Sequence, residues 1–271
     1  MSDNTDLHLH TYYSDGTLSP AELVNWAHDH NLGTIAITDH DGIDGIEEAT
    51  LAAKEFGIKV IPGIEISAQT DEHIGLHILG YDIDITNKPL RQACETMRKK
   101  RKIRNEQLMK ALNRLGYKLE WKDLDLRSGQ DYLGKPQFAL AMVSKGYFKS
   151  PRDAFGQKGA FSSKEIRKIR KEKVTAAEAI NIIKGAGGMA VLAHPGKISH
   201  IGEPGTPEFY DKLDNMLSEL KLMGLGGLEC VYPEHSDDQT IQYTIMAHKH
   251  GLKVTGGSDY HGPEFDPGFV D

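Results

Sequence analysis

Short apolar runs that carry or end in histidine or a carboxylate recur along this chain, and helical patterns separate most of them. Leu7 and Leu9 alternate with His8 and His10, the period of a strand. Alternate side chains share a strand face, so the leucines are expected on one side and both imidazoles on the other, about 7 Å apart at twice the strand rise. Asp15 follows on a loop closed by Gly16. The run Thr34–Thr38 ends in Asp39-His40-Asp41-Gly42. A third strand, with a break at Pro62-Gly63, carries Glu65, and a fourth, His73 to Tyr81, carries His77. Met189–Ala193 runs into His194, Gly227–Val231 follows, and Lys253–Thr255 leads to Asp259 and His261.

Helix starts lie between the strands. Ser19-Pro20-Ala21-Glu22 has an N-cap, a proline at the first helical position and a capping-box glutamate. Asp44 with Glu47, Thr175 with Glu178, Thr206-Pro207 and Asp237 open further helices. Strand and helix in alternation predict an α/β fold with a parallel sheet or barrel. Residues 88–173 break the rhythm. They read as charged helices without a clear strand: one from Leu90 to Leu115, with shorter pieces at Trp121–Leu126, Gln137–Lys145 and around Ala154. The expected organisation is a discontinuous domain, 1–87 and 174–271, interrupted by a helical insertion over 88–173.

In a parallel α/β barrel the C-terminal strand ends share one mouth, so residues distant in sequence converge there. Taken singly, each candidate has an ordinary explanation. His40 suits a turn, Glu65 and His77 a half-exposed strand. Their repeated placement points instead to a metal centre built from His8, His10, Asp15, His40, Glu65, His77, His194, Asp259 and His261. These are too many for one ion; two or three ions sharing a carboxylate would use them. Imidazole with carboxylate suits divalent Zn, Mn or Fe better than Ca or Mg. His28, His30, His73, His200, His235, His248 and His250 lack this placement and are assigned to surface or packing.

Other classes fit poorly. A net charge of -7 argues against a general nucleic-acid coat. No apolar run is long enough to span a membrane, and the first residues lack the pattern of a signal peptide. Two cysteines, Cys94 and Cys230, without a CxxC fit a cytoplasmic protein. Gly185-Ala-Gly-Gly188 follows a helix and precedes a strand, the reverse of a dinucleotide fingerprint. No G-x-S-x-G elbow surrounds Ser14. Arg101 and Arg104 share a helix face at i,i+3. With Lys135 they could clamp a substrate phosphate, although a basic helical run is more commonly a solvated face.

Asp6-Leu-His-Leu-His10 with Asp15, Thr38-Asp-His40, Gly63-Ile-Glu65, His77-Ile-Leu-Gly80, Ala193-His-Pro195 and Gly257-Ser-Asp-Tyr-His261 resemble, in order, the motifs of the polymerase and histidinol phosphatase (PHP) family of metal-dependent phosphoesterases. The resemblance spans the chain. It is closest to the subfamily that includes phosphatases of nucleoside 3',5'-bisphosphates and short-RNA 5'-exonucleases. It implies a distorted seven-stranded (βα) barrel with a small helical insertion, and three ions. His8, His10, Glu65 and Asp259 would hold one, Glu65, His77 and His194 a second, and Asp15, His40 and His261 a third. Where the subfamily usually reads Gly-Arg-Pro-His, this chain has Gly134-Lys135-Pro136-Gln137. Lysine keeps the charge without arginine's fork.

The expected activity is hydrolysis of nucleotide phosphate monoesters by attack of a metal-bound hydroxide. Asp15, His40 and His194 are the candidate catalytic residues. Asp6 and Asp39 are expected to orient ligands from behind. Expected partners are a small phosphorylated substrate, nucleotides or short RNA ends among them, and no membrane or stable protein partner. Rival readings are a histidinol-phosphate phosphatase, a non-catalytic metal-binding module, and an amidohydrolase, which normally carries a bridging lysine that no strand end supplies here.

Overall fold

The computed structural model describes residues 4–124, 133–169 and 172–265. Its strands are β1 (Asn4–Leu9), β2 (Leu32–Ile37), β3 (Lys59–Gln69), β4 (Gly75–Tyr81), β5 (Val174–Thr175), β6 (Met189–Leu192), β7 (Gly227–Val231) and β8 (Lys253–Gly256). The helices are α1 (Pro20–Asp29), α2 (Ile46–Phe56), α3 (Lys88–Arg114), α4 (Lys135–Ser144), α5 (Pro151–Phe155), α6 (Lys164–Arg167), α7 (Ala176–Gly185), α8 (Pro207–Met223) and α9 (Asp237–Lys249). The expected α/β class is observed. The piece expected at Trp121–Leu126 is a 3-10 turn over Trp121–Leu124; its last two residues lie outside the described ones.

The strands form one mixed sheet in the order β1-β2-β3-β4-β6-β7-β8, with β5 paired to β3. A parallel bridge between Leu9 and Tyr260 links the two ends of this order, and the His10 amide donates to the Tyr260 carbonyl at 3.0 Å. The first and last strands of the order thus lie side by side. The sheet is not wholly parallel, as the alternation predicted. β4 runs antiparallel to both β3 and β6. The expected break at Pro62-Gly63 is where one continuous strand changes partners: Lys59–Pro62 pairs with β2 and Gly63–Gln69 with β4. A short β3–β4 connection permits an antiparallel pair, whereas a parallel one needs a long crossover.

Side-chain alternation sorts the core. Ile35 and Ile37 pack with the helices in the main cluster, while Ala36 between them joins Leu79, Tyr81, Val191 and Ala193. Leu7 and Leu9 depart from the expected common face. The β1–β2 register shifts between Asp6 and Leu9, so Leu7 packs with the small cluster and Leu9 with the main one. α1 has the expected capping box, with the Ser19 hydroxyl accepting from the Glu22 amide. α2 starts later than expected, at Ile46, behind Gly45 and without a side-chain cap; Asp44 instead pairs with Arg98 at 2.7 Å.

α3 spans two cores. Leu90, Cys94 and Met97 belong to the main cluster. Leu108, Met109, Ala111 and Leu112 belong to a separate cluster with Phe138, Met142, Phe161 and Ile166. No helix among the described residues is long and apolar enough to cross a membrane.

Candidate metal centre

The candidate metal ligands gather in one cluster, arranged around Glu65. This fully buried side chain sits on β3 beyond the partner switch. Its carboxylate lies within 3.4 Å of five imidazoles: His8 and His10 at 3.4 Å, His40 at 2.8 Å, His77 at 2.9 Å and His194 at 3.0 Å. The reversed direction of β4 explains His77. It lies near the start of its strand, and in an antiparallel neighbour that end meets the mouth.

Three groups have ligand atoms within 4.8 Å of one another: His8, His10, Glu65 and Asp259; His10, Asp15, His40 and His261; and His40, Glu65 and His77. The first reproduces the set that the resemblance implies. The others differ from it, because His10 and His40 each belong to two groups and His194 belongs to none, although its ring lies beside those of His8 and His77. The buried His8 Nε2, His10 Nε2, Asp15 Oδ1 and Glu65 Oε2 make no hydrogen bond. Buried polar atoms without partners are costly, and divalent cations held by the first two groups would satisfy them. The residues therefore fit the metal ions that the resemblance implies.

The crowding of these groups sets their charges. Burial opposes ionisation of Glu65, yet His40, His77 and His8 around it hold its carboxyl well below the usual range. Asp15 and Asp259 are likewise lowered against burial, Asp15 by His40 and His261, Asp259 by His8 and His261. Burial takes the His10 imidazole down to about 3 and His77 down to about 4, so both are neutral donors at pH 7, the form that binds metal. His261 is raised to about 10, as Asp15 and Asp259 overcome its burial.

The surroundings fix the ligand geometry. Asp6 Oδ1 accepts the amides of His8 at 3.1 Å and Ser258 at 2.9 Å, tying β1 to the segment that presents Asp259. Asp39 accepts the Thr11 amide, the Thr11 hydroxyl and the Ser14 hydroxyl at 2.7–2.8 Å, shaping the turn that presents Asp15. Both carboxylates thus act through backbone and hydroxyl groups. His194 and Asp259 have φ of 24° and 55°, a region that side chains rarely adopt and that clusters at functional sites.

Glu229, absent from the sequence-based set, is fully buried on β7. One oxygen accepts the His8 Nδ1 proton at 2.9 Å and the other accepts the His194 amide at 2.7 Å. Its signal was a lone carboxylate in the apolar run Gly-Leu-Glu-Cys-Val.

The basic residues divide. Arg101 and Arg104 are buried rather than on a solvated face. Arg101 pairs with Asp41, which also accepts the Ser67 amide at 3.0 Å. Lys135, at the start of α4, sits over the Phe161 ring at 5.8 Å. Gln137 donates to the Ser14 carbonyl at 3.3 Å, joining α4 to the Asp15 turn.

A histidine–carboxylate cluster at the strand ends of an α/β sheet is the donor set of metal-dependent hydrolases. The chain belongs to the PHP family, whose PHP domain pattern matches residues 6–225, and it is a metal-dependent phosphoesterase. It is similar to a 3',5'-nucleoside bisphosphate phosphatase of Chromobacterium violaceum, 29% identical with 96% of this chain and 88% of the relative covered. It is 30% identical to a 5'-3' exoribonuclease of Haemophilus influenzae, with 97% and 92% covered. Among solved structures, a candidate metal-dependent phosphoesterase from Bifidobacterium adolescentis superposes with a TM-score of 0.84 at 32% identity, covering 97% of this chain and 89% of that one.

Proposed function

We propose that this enzyme hydrolyses phosphate monoesters of nucleotides, with nucleoside 3',5'-bisphosphates or nucleoside monophosphates as substrates. The proposed ligand set is His8, His10, Asp15, His40, Glu65, His77, His194, Asp259 and His261, holding two or three ions of Mn, Fe or Zn with Glu65 as the shared carboxylate. The observation that carries this reading is the contact of Glu65 with five imidazoles, more than one carboxylate can accept from. Bound divalent ions would supply Lewis-acid charge stabilisation and a water acidified toward about pH 7.

The chain's own groups do the rest. Asp15, His40 and His194 surround the reacting phosphoryl group. His40 Nε2 lies 3.7 Å from Asp15 Oδ2, so the two ligands border the same space. Asp6 and Asp39 hold the turns that carry the ligands. Arg101, Arg104 and Lys135, all from the proposed insertion domain over 88–173, would attract the substrate's second phosphate. The remainder, 1–87 and 174–271, would be the catalytic domain. A cytoplasmic site of action accords with two buried cysteines left as thiols.

A second reading, 5'-3' cleavage of short oligonucleotides, draws on a cleft of about 860 Å³ along α3. Lys99, Lys102, Lys110 and Trp121 line it, joining cations for a phosphate backbone to an indole on which a base can stack. One assay panel separates the readings. Mn-loaded protein is offered a nucleoside 3',5'-bisphosphate, a mononucleotide, histidinol phosphate and a 5'-phosphorylated oligonucleotide. The proposal expects the highest kcat/KM on a nucleoside phosphate; preference for histidinol phosphate or the oligonucleotide overturns it, and an inert metallated protein revives the non-catalytic module.

A further inference from the structure

Lys197 closes the short turn Pro195–Lys197 that follows His194. Its ammonium donates to Asp259 Oδ2 at 3.1 Å. The other oxygen of Asp259 faces His8 Nε2 at 3.4 Å and His10 Nε2 at 3.1 Å, inside the first ligand group. The cation therefore stands one carboxylate away from the centre, on its open side. Its side chain is 39% exposed, whereas those of His8, His10 and Glu65 are 0% exposed.

Two clefts meet there. One, of about 380 Å³, is walled by His77 and His194. The other, of about 300 Å³, is walled by Tyr232 and by Arg152 of α5. Lys197, Asp259 and His261 line both. The Tyr232 ring supports the ammonium from 4.7 Å, and its hydroxyl donates to the same Asp259 Oδ2 at 3.0 Å. Asp259 is thus already held without Lys197. An ammonium has three donors. Asp259 takes one, and Glu234 at 3.7 Å is beyond hydrogen-bond distance, so two remain for a ligand in the shared space.

We propose that the Lys197 ammonium binds the phosphoryl oxygens of the substrate at the junction of the two clefts, a role that rests on the phosphoesterase reading above. Lys197 is then a substrate-binding residue for the group under attack, distinct from the insertion-domain cations that would meet a second phosphate. Anionic oxygens bonded to a fixed cation gain from charge-assisted hydrogen bonds.

The test uses Mn-loaded full-length protein and inorganic phosphate as the probe. Phosphate affinity is measured by calorimetry and metal content by elemental analysis, for wild type, Lys197→Met, Lys197→Arg and Tyr232→Phe. Lys197→Met is expected to weaken phosphate binding by about 10- to 100-fold at unchanged metal content, with Lys197→Arg restoring most of it. Should Lys197→Met fail to fold, Lys197→Gln carries the same titration. Unchanged phosphate affinity in the Met variant overturns the proposal. So does a parallel loss of metal in Lys197→Met and Tyr232→Phe, which would make Lys197 a prop for Asp259. Wild-type protein that binds phosphate through Lys197 but cleaves no nucleotide would sink the proposed substrate class and leave this inference standing.

Discussion

Glu229→Gln is the sharpest single perturbation of the centre. The substitution keeps side-chain size, so it opens no cavity. It changes the hydrogen bonds instead. In the wild type both carboxylate oxygens accept, one from His8 Nδ1 at 2.9 Å and one from the His194 amide at 2.7 Å. A glutamine has one acceptor oxygen and one NH2 donor. If the NH2 faces His8, the imidazole must move its proton to Nε2, the atom that faces Glu65 and Asp259, and Nε2 can then no longer bind a metal. If the NH2 faces His194, two donors oppose each other under a residue already at φ 24°. The second arrangement removes one hydrogen bond to a charged acceptor and leaves a buried donor unsatisfied, about 1.5–3 kcal/mol. Metal affinity should fall by about 10- to 100-fold, the usual result of removing a group that orients a ligand. Competition titration with a chromogenic chelator reads the affinity, and far-ultraviolet circular dichroism checks the fold. A folded Glu229→Gln protein that binds metal within about twofold of wild type would refute this account of His8.

Three further expectations follow from the same geometry. Asp15→Asn should nearly abolish turnover while the thermal transition of the protein persists, and near-wild-type kcat would mean that Asp15 is wrongly placed in the cluster. Arg101→Met strands the buried Asp41 carboxylate, so it should cost about 3–5 kcal/mol in chemical denaturation, most of which Asp41→Asn in the same chain should restore; additive losses would contradict the pairing. Burial raises the Asp39 carboxyl to about 6 against the hydrogen bonds of Ser14 and Thr11. Between the unfolded value of 3.8 and about 6 the folded state keeps a proton that the unfolded state has lost, so this group's contribution declines as pH rises, by up to about 3 kcal/mol. Metal-free wild type should therefore lose stability relative to metal-free Asp39→Asn from pH 4 to pH 7, and parallel pH profiles would exclude the shift.

The sequence by itself pointed to most of the elements and to the histidines and carboxylates that the fold brings together. Period-two apolar runs mark strands because a strand presents alternate residues to each face, and Ser19-Pro20-Ala21-Glu22 marks a helix start because those groups satisfy its first amides locally. Such signals act between near neighbours and can be read along the chain. Histidines and carboxylates at the ends of such runs named the pocket, since strands in one sheet deliver their ends to a common mouth. What only the tertiary structure decided depends on pairings across long sequence distances. The antiparallel course of β4, which brings His77 from a strand start to Glu65, follows from β3 changing partners at Pro62-Gly63. The register shift in β1 separates Leu7 from Leu9. Glu229 reads as one carboxylate in a strand until it meets His8, 221 positions away. Arg101 reads as a solvated helix cation until Asp41 closes on it. In each case the deciding partner lies far along the chain, and burial makes the contact matter by removing water as the alternative.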